Sequence, residues 1–128
     1  MVKIKEIMST HLVTVEGCTT VREAVNVMAK EKLGSLLVSK GGEIVGIVEE
    51  RNMMNGLVND LNLYVTAVEA IMSIPFIIDE ERTDNDGSDM MFQHKVRHLA
   101  VSDGEKIVGI LSMADLLRPV YAGKSFWT

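Results

Sequence analysis

The sequence predicts an α+β fold made of two β-α-β-β-α repeats, which are related by pseudo-two-fold symmetry and pack through their sheets. Three observations support this prediction. The pattern of the first half recurs in the second half, each half has a threonine at a predicted helix start, and each half ends with two short apolar strands and a closing helix. We place the first repeat at residues 1–60 and the second at residues 61–128.

The first repeat contains one clear helix and one clear hairpin. Thr20 begins the helix, and Glu23 follows three residues later in a capping-box pattern. Apolar residues then recur at the i, i+3, i+4, i+7 spacing of a helix with one buried face, at Val21, Ala24, Val25 and Met28. Gly34 ends the helix, and two apolar runs, 35–38 and 44–48, flank a Lys-Gly-Gly-Glu turn. A closing helix follows at about 52–58.

The second repeat follows the same order at a nearly constant offset. The opening segment Lys5-Glu6-Ile7-Met8-Ser9 matches Glu69-Ala70-Ile71-Met72-Ser73 at an offset of 64, which becomes 63 further along. Identical pairs at an offset of 63 are Thr20/Thr83, Met28/Met91, Lys32/Lys95, Leu36/Leu99, Val38/Val101, Ser39/Ser102, Ile44/Ile107, Val45/Val108, Gly46/Gly109 and Ile47/Ile110. Because a repeat unit buries its apolar face only against its copy, we expect both repeats to share one core.

The first helix of the second repeat lacks most of the apolar stripe. Asp84, Gly87 and Ser88 stand where the first repeat has valine, alanine and valine. We therefore expect this helix to be short, frayed or ordered by a partner.

Composition excludes several classes of protein. The net charge of −5 disfavours nucleic acid as the main partner, because binding to a phosphate backbone needs a concentrated basic surface. No apolar run approaches the ~20 residues that span a bilayer, and the first residues lack the apolar region of a signal peptide. We therefore expect a cytoplasmic protein that has no membrane segment.

The stretch Gly109-Ile110-Leu111-Ser112-Met113-Ala114-Asp115 is the strongest candidate site. An apolar strand runs there into a Ser-x-x-Asp helix start, where backbone N–H groups point outward and favour an anion. A serine hydroxyl and a carboxylate at this spacing can bind a phosphate and a sugar hydroxyl. The alternative is purely structural, with Ser112 as the N-cap and Asp115 as its capping-box partner.

The sequence does not indicate an enzyme. Paired carboxylates, a Cys-His pair and a cluster of metal ligands are all absent at usable spacing. We therefore predict neither catalytic residues nor a metal site, and no required cofactor.

The repeated order of motifs resembles a known family. Ile-Met-Ser, a threonine-capped helix, a Leu-x-Val strand, a glycine-containing turn and a strand with Gly-Ile occur twice in that order. In this respect the chain resembles a tandem pair of cystathionine-β-synthase (CBS) domains. The resemblance implies a regulatory module that binds an adenosine ligand (AMP, ADP, ATP or S-adenosylmethionine) in the cleft between the repeats. It also implies a homodimer, formed through the closing helices, that signals to a regulated protein partner not identified by the sequence.

The family's ligand signature is Gly-apolar-apolar-Ser/Thr-x-x-Asp, and only the second repeat matches it. The first repeat has Glu49 and Asn52 where the second has Ser112 and Asp115, so we expect one competent site and one degenerate site. Glu49 would also be a poor helix cap, so capping alone does not explain why Ser112 and Asp115 are present.

The resemblance implies further ligand-binding residues. Those expected around the base are Ser9, Val13, Thr14, Leu33, Gly34, Ser35 and Ile110. Val13 and Leu33 can equally be core residues, and Gly34 can equally be a helix C-cap.

Phosphates on the ligand would need cations. Arg97 and His98 lie where the second repeat's helix leads into its strand, which is near the cleft in this family. Arg97 is the better candidate because its guanidinium offers a planar fork for a phosphate. The alternative is that this basic run is only a solvated helix end.

A second functional hypothesis is a ligand-free adaptor that keeps the fold only to dimerise and hold a partner. The departures at Glu49 and Asn52 favour it, whereas Ser112 and Asp115 together disfavour it. We also expect the aromatic residues Phe126 and Trp127 to pack against a partner protomer or the last helix.

Overall fold

The structure, a computed structural model, describes residues 1–121 and their side chains as far as Leu117. Its strands are β1 (Thr14–Glu16), β2 (Ser35–Lys40), β3 (Glu43–Glu49), β4 (Ile77–Asp79), β5 (His98–Ser102) and β6 (Ile107–Ser112). Its helices are α1 (Val21–Glu31), α2 (Glu50–Val58), α3 (Asp84–His94) and α4 (Met113–Tyr121). The predicted α+β class and the repeated β-α-β-β-α order are confirmed. The contact predicted for Phe126 and Trp127 lies outside the described residues.

The strands form two three-stranded sheets of the same design, ordered β1-β2-β3 and β4-β5-β6. In each sheet the middle strand is parallel to the first strand and antiparallel to the third. A helix connects the two parallel strands, because a parallel pair needs a crossover. Even the irregularity recurs, since the register shifts after Val38 in β2 and after Val101 in β5.

The chain forms two compact units, and each unit combines segments of both sequence repeats. Unit 1 contains Met1–Leu12 and Phe76–Thr128, and unit 2 contains Val13–Pro75. The opening segment of each repeat therefore belongs to the unit that holds the other repeat's strands. The division into repeats 1–60 and 61–128 is a prediction about the sequence pattern, and the compact units are divided at different residues.

Helix α1 begins where its capping pattern predicts. The backbone N–H of Glu23 donates to the Thr20 hydroxyl at 3.2 Å. Val21, Ala24 and Met28 of the predicted stripe pack into the core of unit 2, whereas Val25 is exposed. The helix ends before Gly34, however, because Lys32 adopts the left-handed conformation at its C-cap (φ 57°). Gly34 is therefore not the C-cap that the sequence suggested.

Helix α3 is as long as α1, so the prediction of a short or frayed helix was wrong. Thr83 and Asp86 form a complete capping box, and Met91 is buried in the core of unit 1. A Cβ atom on Gly87 would lie only 2.8 Å from Leu111 Cδ2. The glycine therefore allows α3 to lie close to the sheet, and this close packing replaces the missing apolar stripe.

Candidate ligand-binding site

Ser112 and Asp115 lie at the junction of β6 and α4 in unit 1. The Ser112 backbone N–H donates to Asp115 Oδ2 at 2.8 Å, and the Asp115 N–H donates to Ser112 Oγ at 3.2 Å. These two bonds form the capping box that the sequence offered as the structural alternative. Asp115 is only 7% exposed, so its carboxylate is held in one position at the positive end of the helix dipole.

Ser9 and Ile110 lie beside this junction. Their backbones exchange both hydrogen bonds at 2.9 Å, so the opening segment of the chain lies along β6. A Cβ atom on the adjacent Gly109 would lie 2.5 Å from Met8 Sδ and 2.9 Å from the Ser9 carbonyl oxygen. Met8 and Ser9 of the Ile-Met-Ser segment therefore pack directly against the glycine of the strand. Only a glycine leaves room for them at this position.

Arg97 and His98 lie at the same end of this sheet. His98 is directly opposite Ser112 in the antiparallel pairing of β5 with β6. The Met113 N–H donates to the Arg97 carbonyl at 2.9 Å, and the Arg97 side chain is exposed. Unit 1 thus gathers six of the predicted site residues around the start of α4: Ser9, Arg97, His98, Ile110, Ser112 and Asp115.

The other five predicted residues belong to unit 2, at the starts of β1 and β2. The Leu37 N–H donates to the Val13 carbonyl at 3.2 Å, and Thr14 is opposite Leu37 in the parallel pairing. Leu33 and Gly34 lie between Lys32 and β2, and both are half-buried. Ser35 is buried and opposite Glu49. The starts of β1 and β2 are therefore adjacent in unit 2.

Unit 2 also carries an apolar groove of about 550 Å³ between α1 and α2, and Leu33 and Gly34 form part of its wall. The other lining residues are Val25, Met28, Ala29, Lys32, Glu50, Met53, Met54 and Leu57. Met54 and Leu57 are 65% and 54% exposed, so they add exposed apolar surface to the groove.

The counterpart of the Ser112/Asp115 pair in unit 2 is also a closed cap. The Glu49 N–H donates to Asn52 Oδ1 at 2.8 Å, and the two residues form a capping box at the start of α2. The expectation that Glu49 would leave α2 poorly capped was therefore wrong. In the usual capping box, a serine or threonine at the N-cap is followed by a glutamate or glutamine at the third helical position. Here the N-cap is a glutamate and the third position is an asparagine.

Asn52 makes two further hydrogen bonds that the sequence did not reveal. Its side-chain Nδ2 donates to the Ile71 carbonyl at 2.8 Å and to Ser73 Oγ at 2.9 Å. Asn52 therefore fastens the opening segment of the second repeat to α2. The sequence carries no signal for this contact, because the two partners lie 19 and 21 residues from Asn52. The amide of Asn52 is therefore bonded within unit 2.

Residues 1–121 contain neither a metal site nor a membrane-spanning helix. No three His, Cys, Asp or Glu side chains in this range are grouped so that they could hold a metal ion. No helix in the same range has the length and apolar character that crossing a membrane requires.

The family is decided by a direct match. The family model of the CBS domain matches the chain twice, at residues 4–59 and 68–121. The chain belongs to the CBS domain family. The two CBS domains account for the shared Ile-Met-Ser segments, the paired glycines and the equivalent sheets.

Solved structures agree with this assignment. A protein with CBS domains from Burkholderia ambifaria is 29% identical, covers 98% of both chains and has a TM-score of 0.91. Two others share the fold at lower identity. A CBS domain protein from Pyrobaculum aerophilum complexed with AMP is 22% identical over 89% of both chains, with a TM-score of 0.81. The CBS domain pair of protein MJ0100, in complex with 5′-methylthioadenosine and S-adenosyl-L-methionine, is 20% identical, covers 93% of this chain and 99% of its own, and has a TM-score of 0.83.

Proposed function

We propose that this CBS pair is a regulatory module that binds one adenosine ligand per chain and signals its presence to a partner protein. The observation that carries the proposal is the buried carboxylate of Asp115, which the Ser112 N–H holds at a helix start. A carboxylate accepts the two O–H groups of a ribose diol in charge-assisted hydrogen bonds. The amide of Asn52 at the equivalent position of unit 2 is already bonded to the chain.

The ligands of two structural neighbours support the choice of an adenosine compound. AMP is bound in one, and 5′-methylthioadenosine and S-adenosylmethionine in the other. In our proposal Ser112 and Asp115 bind the ribose and the first phosphate, while Arg97 and His98 supply positive charge for any further phosphate. Ser9 and Ile110 are the proposed contacts of the base in unit 1, and the parts of Val13, Thr14, Leu33, Gly34 and Ser35 remain predictions from the sequence.

Isothermal titration calorimetry with AMP, ATP and S-adenosylmethionine tests the proposal. We expect heat of binding with at least one of the three ligands, and we expect Arg97→Ala to weaken ATP more than S-adenosylmethionine because only ATP carries phosphates. The absence of binding with all three ligands would contradict the proposal. Mass spectrometry of small molecules released from the purified protein would identify a ligand that co-purifies.

The second candidate function is a ligand-free adaptor. It is favoured by the capping boxes at both α2 and α4, because these give Ser112 and Asp115 a structural role without any ligand. The two functions differ in one measurable respect. An adaptor keeps its partner binding when Asp115 is changed to alanine, whereas a ligand sensor loses the ligand dependence of that binding.

We also propose that the groove of unit 2 is part of a homodimer contact. Met54 and Leu57 present apolar surface there, and methionine adapts well to an interface. Met54→Glu together with Leu57→Glu should give a monomer in sedimentation experiments, with unchanged circular dichroism. If this double variant still associates, the groove is not part of the homodimer contact. A cytoplasmic location remains a prediction from the sequence.

A further inference from the structure

The outer helices of the two units differ in the size of their exposed side chains. In unit 2, Ala29 and Gly34 form part of the wall of the groove between α1 and α2. The residues of unit 1 at an offset of 63 from them are Phe92 and Arg97. Unit 1 therefore has large side chains at two positions where unit 2 has small ones that leave space.

The large residue Phe92 belongs to an exposed apolar surface of unit 1. Phe92 of α3 is 86% exposed, and Met113 and Leu117 of α4 are 44% and 49% exposed. The two helices pack side by side, since a Cβ atom on Gly87 of α3 would lie 3.8 Å from Leu116 Cδ2 of α4. We call Phe92, Met113 and Leu117 the α3/α4 face. A phenylalanine ring contributes favourable free energy when a partner buries it, so this face is suited to a contact with another molecule.

We propose that Phe92 of one copy of the chain inserts into the unit 2 groove of a second copy. The groove of about 550 Å³ has the size of a ligand pocket, which gives it room for a phenylalanine ring. Met53 and Met54 line the groove, and methionine adapts its shape to an aromatic neighbour. This inference rests on the homodimer contact proposed above, and it names the surface that the groove receives.

The two surfaces carry opposite charges at corresponding points. The Glu50 N–H donates to the Gly34 carbonyl at 3.3 Å, and the Met113 N–H donates to the Arg97 carbonyl at 2.9 Å. The same backbone bond therefore has an acidic side chain beside it in unit 2 and a basic side chain beside it in unit 1. Both Glu50 and Arg97 are exposed. Contact of the α3/α4 face with the groove thus brings a guanidinium towards a carboxylate.

Contacts between two like surfaces lack this complementarity. Two α3/α4 faces would bring Arg97 of both copies together and would offer no cavity to either phenylalanine ring. Two grooves would bring Glu50 of both copies together and leave both grooves unfilled. Lys32 and Lys95 are the same residue at equivalent positions, so they favour neither arrangement. Because like charges disfavour the like pairs, the contact between unlike surfaces is preferred.

Sedimentation of single-surface variants is the first part of the test. Phe92→Ala gives α3 the residue that α1 has at the equivalent position, and it should weaken association about 30-fold, as the loss of an interface anchor does. Met54→Glu together with Leu57→Glu blocks the groove and should also abolish association. Ile74→Ala is the matched control, because Ile74 is 80% exposed and lies outside both surfaces, and it should associate like the wild type.

Mixing the two variants is the second part of the test. In a mixed pair, Phe92 of the groove variant meets the intact groove of Phe92→Ala, so one of the two symmetric contacts is restored. We expect mixed pairs at a concentration at which each variant alone is monomeric. Circular dichroism of each variant should match that of the wild type, which shows that the lost association does not come from unfolding.

The possible outcomes separate this inference from the proposals above. Wild-type association of Phe92→Ala, or a mixture that stays monomeric, would overturn the insertion of Phe92. Monomeric behaviour of the groove variant alone would then still support the proposed homodimer contact. A wild type that is monomeric at every concentration would overturn both, and calorimetry with AMP would still test ligand binding independently.

Discussion

Helices α2 and α4 begin with the same backbone geometry, but the capping side chain is an amide at α2 and a carboxylate at α4. At α2, Asn52 accepts from the Glu49 N–H and donates to the segment that contains Ile71 and Ser73. At α4, Asp115 accepts from the Ser112 N–H and has a carboxylate where Asn52 has an amide. In our proposal, the start of α2 is a fixed structural element, whereas the start of α4 binds the ligand.

The largest expected effect concerns ligand affinity. Asp115→Ala should weaken the binding of the adenosine ligand about 100-fold, because two charge-assisted hydrogen bonds to the ribose are lost. Asn52→Ala should leave the affinity nearly unchanged, because the Asn52 amide is bonded within its own unit. Calorimetric titration of both variants measures the difference. Equal losses of affinity in the two variants would contradict the proposal that the ligand binds at the start of α4 and not at the start of α2.

The next effect concerns the two glycines that accommodate a methionine. Gly109→Ala and Gly46→Ala should each lower the free energy of unfolding by about 2 kcal/mol, because the new Cβ overpacks the strand. Shortening the neighbouring methionine should restore the lost stability to different extents in the two units. The closest atoms to a Cβ on Gly46 all belong to the Met72 side chain, whereas Gly109 also faces the Ser9 backbone oxygen at 2.9 Å.

Urea denaturation of the double variants measures this inequality. Met72→Ala should recover more of the stability lost in Gly46→Ala than Met8→Ala recovers in Gly109→Ala. Each methionine variant alone serves as the reference, since it also removes buried surface. Equal recovery in the two units would show that the Ser9 backbone moves freely away from β6.

A smaller effect concerns stability, for which Asn52 should matter more than Asp115. Asn52→Ala should lower the free energy of unfolding by about 2 kcal/mol, because it leaves the Glu49 N–H and the Ile71 carbonyl without their partner. Asp115→Ala should cost about 1 kcal/mol, the usual value of a lost cap. Thermal and urea unfolding of the two variants give the comparison. A larger loss in Asp115→Ala would indicate that the structural role of the pair dominates.

The smallest effect concerns acid stability in unit 1. Hydrogen bonds from Lys3 and then Lys5, at 2.8 and 2.6 Å, lower the pKa of Glu81 from 4.5 to about 2. Because the pKa is lower in the folded chain, this stabilisation is present above pH 4.5 and is lost as the pH falls towards about 2. Glu81→Gln should therefore flatten the decline in stability across that interval.

Unfolding measured across the same pH interval checks this expectation. Glu43→Gln, on the hairpin of unit 2, is the control for the loss of one exposed carboxylate. The difference between the variants should shrink at high salt, because the ion pairs of Glu81 are exposed. Parallel pH profiles of Glu81→Gln and the wild type would contradict the assignment.

Local features of the fold were predictable because they depend on neighbouring residues. Thr20 and Glu23 specify the start of α1, and the Gly41-Gly42 pair specifies a hairpin, where both residues adopt positive φ angles of 60° and 83°. The end of α1 was not predictable in this way. Lys32 and Lys95 both take the left-handed conformation despite their side chains, which indicates that the tertiary structure imposes the turn.

The site was predictable only in part, because its essential contacts join residues that are distant in sequence. The signature in the second repeat identified Ser112 and Asp115, which lie three residues apart. The amide of Asn52 instead reaches Ile71 and Ser73, 19 and 21 residues away. Composition and spacing carry no record of such a contact, so the capping box of Glu49 and Asn52 and the bonds of Asn52 to the opening segment were not predicted.

The most direct test of the account is the number of adenosine ligands bound to each chain. Native mass spectrometry of the wild type and of Asp115→Ala, at a ligand concentration about tenfold above the wild-type Kd, measures this number. We predict one ligand per chain in the wild type and almost none in Asp115→Ala at the same concentration. Two ligands per wild-type chain, or one that persists in Asp115→Ala, would contradict the claim that the Asp115 helix start alone retains a ligand site.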